Sequence, residues 1–419
     1  MNINTAYQWA KEEYAALGVD TDKALFQLVK IPISLNCWQG DDVGGFEHPN
    51  SKLEGGGIQV TGSYPGKARN ILELQQDIEK TLSLIPGTYR LNLHANYADL
   101  KGKKIDRDAL LPEHFKTWLD WAQSKNINLD FNSTFFSHPK ANDLTLCSKD
   151  KGIRDFWIEH AKRCREIGAY FGEKQKNPCI HNIWIADGMK DIPADRLIYR
   201  SILSDSLDEI LKKKISSLYL KDSVESKVFG IGTESYVAGS HEFYLGYAIS
   251  RNILLTLDLG HYHPTENVAD KLSAIMLTID EILLHISRPV RWDSDHVVIF
   301  NDDLRVTGEE IIKSKKTEKI HIGLDFFDGS INRIGAWTLG CRSTQKALLA
   351  ALLQPQHTLT IYEDEKNFFG RLFLFEQMKT FPFFGFVWQK YCEEAGVPQD
   401  YEIIKYVKEY EKLVTNKRG

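Results

Sequence analysis

Short apolar runs, each followed by a longer stretch of helical spacing, recur eight times along this chain, and no other feature constrains its fold as much. The runs are Ile33–Trp38, Arg90–Ala95, Asn128–Asn132, Ile180–Ile185, Leu218–Glu225, Ile253–Leu259, Ile282–Arg288 and Ile320–Phe326. Their Ile, Leu and Val content suits strands covered on both faces, and strands alternating with helical patterns are the signal for βα units. Eight such units predict a closed (β/α)8 TIM barrel rather than an open sheet. A chain of 419 residues accommodates one barrel with helical additions. The expected division is a barrel domain over 1–353 and a C-terminal helical extension over 354–419. Helices are expected at Pro112–Lys125, Arg154–Glu173 and Ile202–Lys214. The stretch 36–70 is glycine-rich, with Gly55, Gly56 and Gly57 in succession, and lacks periodicity. It predicts a long loop after the first strand, a cover for the catalytic face.

Charge and cysteine spacing exclude several functions. A net charge of −5 offers no basic footprint for nucleic acid. The six cysteines lie far apart without CxxC spacing, which argues against a redox motif, a zinc knuckle or a disulfide framework. The N-terminal stretch is charged and amphipathic, so no signal peptide is expected there. Runs such as Ile282–Ile286 are too short to span a bilayer. A soluble cytoplasmic protein is the expectation.

The chemically capable residues fall where the later strands end. The fifth run closes on Glu225 and Lys227, the sixth on Asp258, His261 and His263. The seventh contains His285 and runs into Asp293, Asp295 and His296, and the eighth ends in Asp325 and Asp328. In a TIM barrel those ends converge on one face, where active sites are built. Carboxylates with imidazoles suit Mn2+, Mg2+, Co2+ or Zn2+. Asp293 and Asp295 are two apart, so extended backbone would point both side chains the same way. Singly, each residue has a plainer reading: an Asp after a strand often caps a helix, and His285 inside an apolar run suits a core. Seven together, at successive strand ends, predict a metal site. Other motifs are weak: Gly230 and Gly232 only begin a dinucleotide fingerprint, and neither HExxH nor GxxxxGK[ST] nor GxSxG occurs.

The segments SLNCWQGDDVGGFE, TGSYPGKARN, RLNLHANY, LDFNSTFFSHP, NIWIADGMKD, VESKVFGIGTESY, LDLGHYHPTE, HISRPVRWDSDHVV and HIGLDFFDGSINRI resemble those of bacterial L-rhamnose isomerases, across nearly the whole chain. The resemblance implies a homotetrameric, Mn2+-dependent enzyme converting L-rhamnose to L-rhamnulose in rhamnose catabolism. Carried over, it puts a catalytic metal on His261, Asp293 and Asp295. A second, more enclosed and structural metal falls on Glu225, Asp258, His285 and Asp325. It sets Lys227 beside O1 and O2 of the sugar, with His94 and Trp184 as further sugar contacts; for Trp184 an ordinary core aromatic remains an equal alternative.

Moving hydrogen between C1 and C2 of an open-chain sugar requires both oxygens to be held and polarised. Metal ions acting on O1 and O2 permit a direct hydride shift, while a base removing the C2 proton gives an enediol. The resemblance favours the shift, with Asp293 orienting a proton-relaying water and Lys227 stabilising negative charge. A barrel epimerase or endonuclease, and a sugar-binding protein without catalysis, stay open as alternatives.

Overall fold

All eight apolar runs form parallel strands that close into one barrel: Ile33–Asn36, Tyr89–His94, Asn128–Asn132, Cys179–Trp184, Leu220–Glu225, Leu254–Asp258, Ile282–Ile286 and Ile320–Leu324. The computed structural model describes residues 2–47, 60–227, 234–290 and 292–418. Neighbours in sequence are neighbours in the sheet, and the eighth strand returns to the first through Ile33–Ile322 and Ser34–Gly323 pairing. Side chains that alternate along a strand thereby point into the lumen or out to the helices.

The lumen is layered. Its floor is charged: Arg90 donates to Asp130, which also accepts from the Ser34 hydroxyl, and Lys221 and His321 share Glu281. Above the floor, Ile180, Leu254 and Leu283 form a small apolar plug. The larger core lies between barrel and helices, where Trp118, Trp157, Trp337 and Phe131 are fully buried.

Helix starts follow local capping chemistry. Asp150 accepts from the amides of Gly152 and Ile153 and opens the helix Lys151–Gln175. Asp195 does the same for Arg196–Leu211, which therefore starts six residues before the expected Ile202 and ends before Lys214. The helix expected over Pro112–Lys125 is a 3-10 turn, Pro112–Phe115, followed by α-helix Lys116–Ser124. Two short antiparallel ribbons were not foreseen: Gly188–Met189 with Tyr236–Val237, and Arg288–Val290 with Trp292–His296. Within 36–70, Cys37–Gly40 is a 3-10 turn, and Gly55, Gly56 and Gly57 lie outside the described residues, as do Gly230 and Gly232. After the helix Arg333–Leu352, four more helices, Gln356–Asp364, Phe368–Lys379, Phe384–Glu394 and Asp400–Leu413, complete the described chain. The rings of Tyr14 and Phe381 (4.9 Å) and of Trp9 and Phe383 (5.0 Å) join them to the first helix, Ile3–Ala16.

One buried ion pair fixes the fifth strand against its covering helix. Arg165 bridges both oxygens of Asp222 at 3.1 Å and donates to the carbonyls of Ile210 and Lys213. His181 approaches the same carboxylate at 2.9 Å. Burial opposes ionisation of Asp222, but His181 and Arg165 outweigh it and hold the carboxyl below its ordinary range. Gly172, about two turns further along that helix, lets Tyr219 approach so closely that a Cβ would collide with its carbonyl oxygen. Removing one partner of a buried pair strands the other charge, at a cost of about 3–5 kcal/mol. Asp222→Ala is therefore expected to lower the unfolding midpoint sharply, and Asp222→Asn, which keeps the side-chain size but also strands Arg165, to lower it as well, as read by thermal melts followed by circular dichroism.

Candidate active site

The last residues of the barrel strands bring the expected acids and imidazoles together. Glu225 and Asp258 end their strands, His285 is the penultimate residue of its own, and Asp325 follows Leu324. One ligand atom from each of these four lies within 4.8 Å of the others. His285 Nδ1 stands 3.0 Å from Glu225 Oε1, 2.9 Å from Asp325 Oδ2 and 3.9 Å from Asp258 Oδ2. His261 Nε2 lies 3.2 Å from Asp293 Oδ2, and its Nδ1 is 3.5 Å from the same Glu225 Oε1. Glu225 thus faces both imidazoles, and the set reads as two overlapping groups rather than two separate ones.

Neither plainer reading survives this geometry. The helices after these strands are capped by Ser240, Val268, Asn301 and Asn332, not by any of the candidate aspartates. His285 is buried but faces three carboxylates at the strand ends and lines the cavity. Asp293 and Asp295 both line the cavity, though not through the extended backbone expected of them. Asp295 has φ +42°, the ribbon register shifts between Arg288 and Val290, and the Asp295 carbonyl is tied to the amide of Phe327. His263 is exposed and bonded to Thr265, and Asp328 caps a turn at Ser330. These two take no part.

Electrostatics define what the group lacks. Burial, and then the neighbouring acids, push Asp258 up to about 7 and Asp295 well above its ordinary range. Burial alone would depress His261 and His285, but Asp293 and Asp258 beside the first and Glu225 and Asp325 beside the second raise both. Crowded buried carboxylates need positive charge near them, whether protons or a cation. Among the described residues, Asp258 Oδ2, Asp293 Oδ1, His261 Nδ1 and His285 Nε2 are buried without a hydrogen-bond partner. Oxygen and nitrogen donors left unpaired at this density fit a divalent cation.

The group opens into a cavity of about 290 Å3. Its walls include Trp38, Val43, Phe136 and Phe327, with Thr61 from the first loop. Trp184 lines it too, and the indole Nε1 is buried without a partner, so this ring belongs to the cavity rather than to the core alone. His94 is pushed down to about 3, chiefly by burial, and then by His285 and Arg107, which keeps it neutral. It contacts Thr134 Oγ1 at 3.2 Å and Asn132 Nδ2 at 3.3 Å. Lys227 lines the cavity, pairs with Glu234 at 2.7 Å and donates to the Ala186 carbonyl at 3.1 Å. Reasoning from sequence did not single out Glu234, Asn132, Asn182 or Ser287. Their only advance signal is polarity inside or just beyond an apolar strand, and its meaning depends on knowing which face points inward.

A closed parallel barrel with such a cavity at its strand ends is a (β/α)8 enzyme. The profile of the L-rhamnose isomerase family (RhaA) matches residues 1–418. L-rhamnose isomerase of Rhodopirellula baltica is 52% identical over 419 residues, spanning 100% of this chain and 97% of that one. The Bacteroides thetaiotaomicron enzyme of the same name is 52% identical over 99% of both chains. That of Escherichia coli is 50% identical over 100% of this chain and 99% of its own. The chain belongs to the L-rhamnose isomerase family. The epimerase, endonuclease and simple binding-protein readings fall away with that membership.

Gly260 sits where the two groups meet. A Cβ there would lie 3.1 Å from both Asp258 Oδ1 and Asp293 Oδ1, and 3.2 Å from Ser287 Oγ. Gly260→Ala must push these side chains apart, and small misplacements at a reacting centre cost up to about 100-fold in rate. Isomerase activity is expected to fall by at least about tenfold on that basis, while the melting temperature stays within a few degrees of wild type. Unchanged turnover would show that the two aspartates need not keep their spacing.

Proposed function

We propose that this aldose–ketose isomerase interconverts L-rhamnose and L-rhamnulose with two divalent cations, Mn2+ in the working enzyme. His261, Asp293 and Asp295 hold the one that acts on substrate. Glu225, Asp258, His285 and Asp325 hold a second, structural one. The observation that carries the reading is the convergence of Glu225, Asp258, His285 and Asp325 within 4.8 Å, with unpaired donor atoms among them. A divalent cation at such a site supplies Lewis-acid polarisation of the vicinal sugar oxygens.

The chain's own residues do the rest. Isomerisation moves one hydrogen from C2 to C1 and one proton from O2 to O1. Direct transfer between the carbons is our preferred route, with Asp293 orienting the water that carries the proton. Two of the three Lys227 N–H groups already serve Glu234 and Ala186, which aims the third at a sugar oxygen and stabilises charge developing there. Neutral His94 and the Trp184 indole hold sugar hydroxyls, and the Trp38 and Phe136 rings exclude water.

On this reading the working enzyme is a cytoplasmic homotetramer acting on a small sugar, away from nucleic acid and membranes. Phe369, Leu372 and Phe373 form an exposed apolar stripe on the helix Phe368–Lys379, suited to a subunit contact. Among the described residues no helix is long and apolar enough to cross a membrane. Light scattering of the purified protein tests the tetramer.

Ketose formation from L-rhamnose should vanish after dialysis against EDTA and return with Mn2+. Full turnover by protein shown to be metal-free by elemental analysis overturns the assignment. Lys227→Met is expected to reduce turnover by about 100-fold or more with both cations still bound, the scale of losing one preorganised donor. Borohydride added with substrate should leave Lys227 of the wild type unlabelled, since an ion-paired lysine does not form an imine.

A further inference from the structure

Beneath the candidate cation ligands, four buried polar side chains from three adjacent strands form a single hydrogen-bonded file: Ser223, Thr256, Asn182 and Glu225. All four are at most 2% exposed. Ser223 Oγ lies 2.6 Å from Thr256 Oγ1, and Thr256 Oγ1 donates to Asn182 Oδ1 at 2.8 Å. The Asn182 amide in turn donates through Nδ2 to Glu225 Oε2. The single Thr256 proton is committed to Asn182, so Ser223 must be the donor in the first link. Every bond therefore runs the same way, toward the carboxylate.

Direction has a consequence at Glu225. One of its oxygens, Oε2, is taken by Asn182, and the other, Oε1, is left toward His285 and His261. The carboxylate only accepts, so it takes Nδ2 of the Asn182 amide and turns Oδ1 toward Thr256. Thr256 completes the arrangement by donating to Oδ1, which would otherwise be a buried acceptor without a partner. The Ile180, Leu254 and Leu283 plug lies in the same lumen and gives the file no competing polar partner.

We infer that Asn182 is a positioning residue, supported from behind by Thr256 and Ser223, that reserves one oxygen of Glu225 for a cation. The inference rests on the proposed role of Glu225 as a ligand. Partners behind a first ligand typically contribute about 10–100-fold in metal affinity.

The test is titration of chelator-stripped, folded protein with Mn2+ alone, followed by calorimetry, with steady-state kinetics alongside. Thr256→Val keeps the shape and removes the hydroxyl. It is expected to weaken Mn2+ binding by about 10–100-fold and to lower kcat with little change in KM for L-rhamnose. Thr256→Ser restores the donor and should bring the affinity back toward wild type, a rescue that a purely packing role would not give. Thr256→Ala gives the same readout where the valine variant does not fold. Wild type that takes up no Mn2+ would sink the cation assignment itself. Wild type that binds, beside a valine or alanine variant that binds equally tightly, would leave that assignment standing and overturn the positioning role.

Discussion

Pairing between the first and eighth strands is the constraint on which the site depends. Ile33 and Ser34 meet Ile322 and Gly323, and with that contact a twisted sheet becomes a closed ring. Closure forces the C-terminal ends of all strands onto one rim. Glu225 and Asp325, a hundred positions apart in the chain, then both stand at His285 Nδ1 or within 3.0 Å of it. An open sheet of the same strands would spread these residues along an edge.

Closure also creates the electrostatic problem that the site turns to use. Glu225, Asp258, Asp293, Asp295 and Asp325 converge where burial penalises charge, and the protein leaves their demand for positive charge partly unmet by its own side chains. His261 and His285 respond by holding protons more tightly than free imidazoles do. Away from the rim, buried carboxylates have counter-charges within the chain, as in the pairs of Arg165 with Asp222 and Arg90 with Asp130, which tie strands to helices and to one another. The polar file from Ser223 to Glu225 occupies the boundary between these regions.

Much of this arrangement was legible in advance. Eight apolar runs marked all eight barrel strands, with no boundary displaced by more than two residues, because a strand buried on both faces carries a composition that little else requires. The acids and imidazoles at the strand ends were legible as one set because they are chemically unlike the runs they end, whereas the grouping of Glu225, Asp258, His285 and Asp325 came from the family resemblance. Legibility failed where local backbone geometry decides. Alternation predicted that Asp293 and Asp295 would share a face through extended backbone, whereas the structure achieves it with a left-handed residue in an irregular ribbon. His263 and Asp328 carried the same local signal but are engaged by the turns they sit in, away from the cluster.

What the sequence by itself determined is therefore the set of strands, the chemical types at their ends and the family to which the chain belongs. These depend on periodicity, composition and motif, which are local properties. Only the tertiary structure decided which donor atoms meet, that Glu225 serves both imidazoles, that Trp184 faces the cavity, and that Asn182 and Thr256 stand behind the carboxylate. Each of those facts is a distance between residues far apart in the chain. Such distances are set by barrel closure and strand register, which no local pattern encodes.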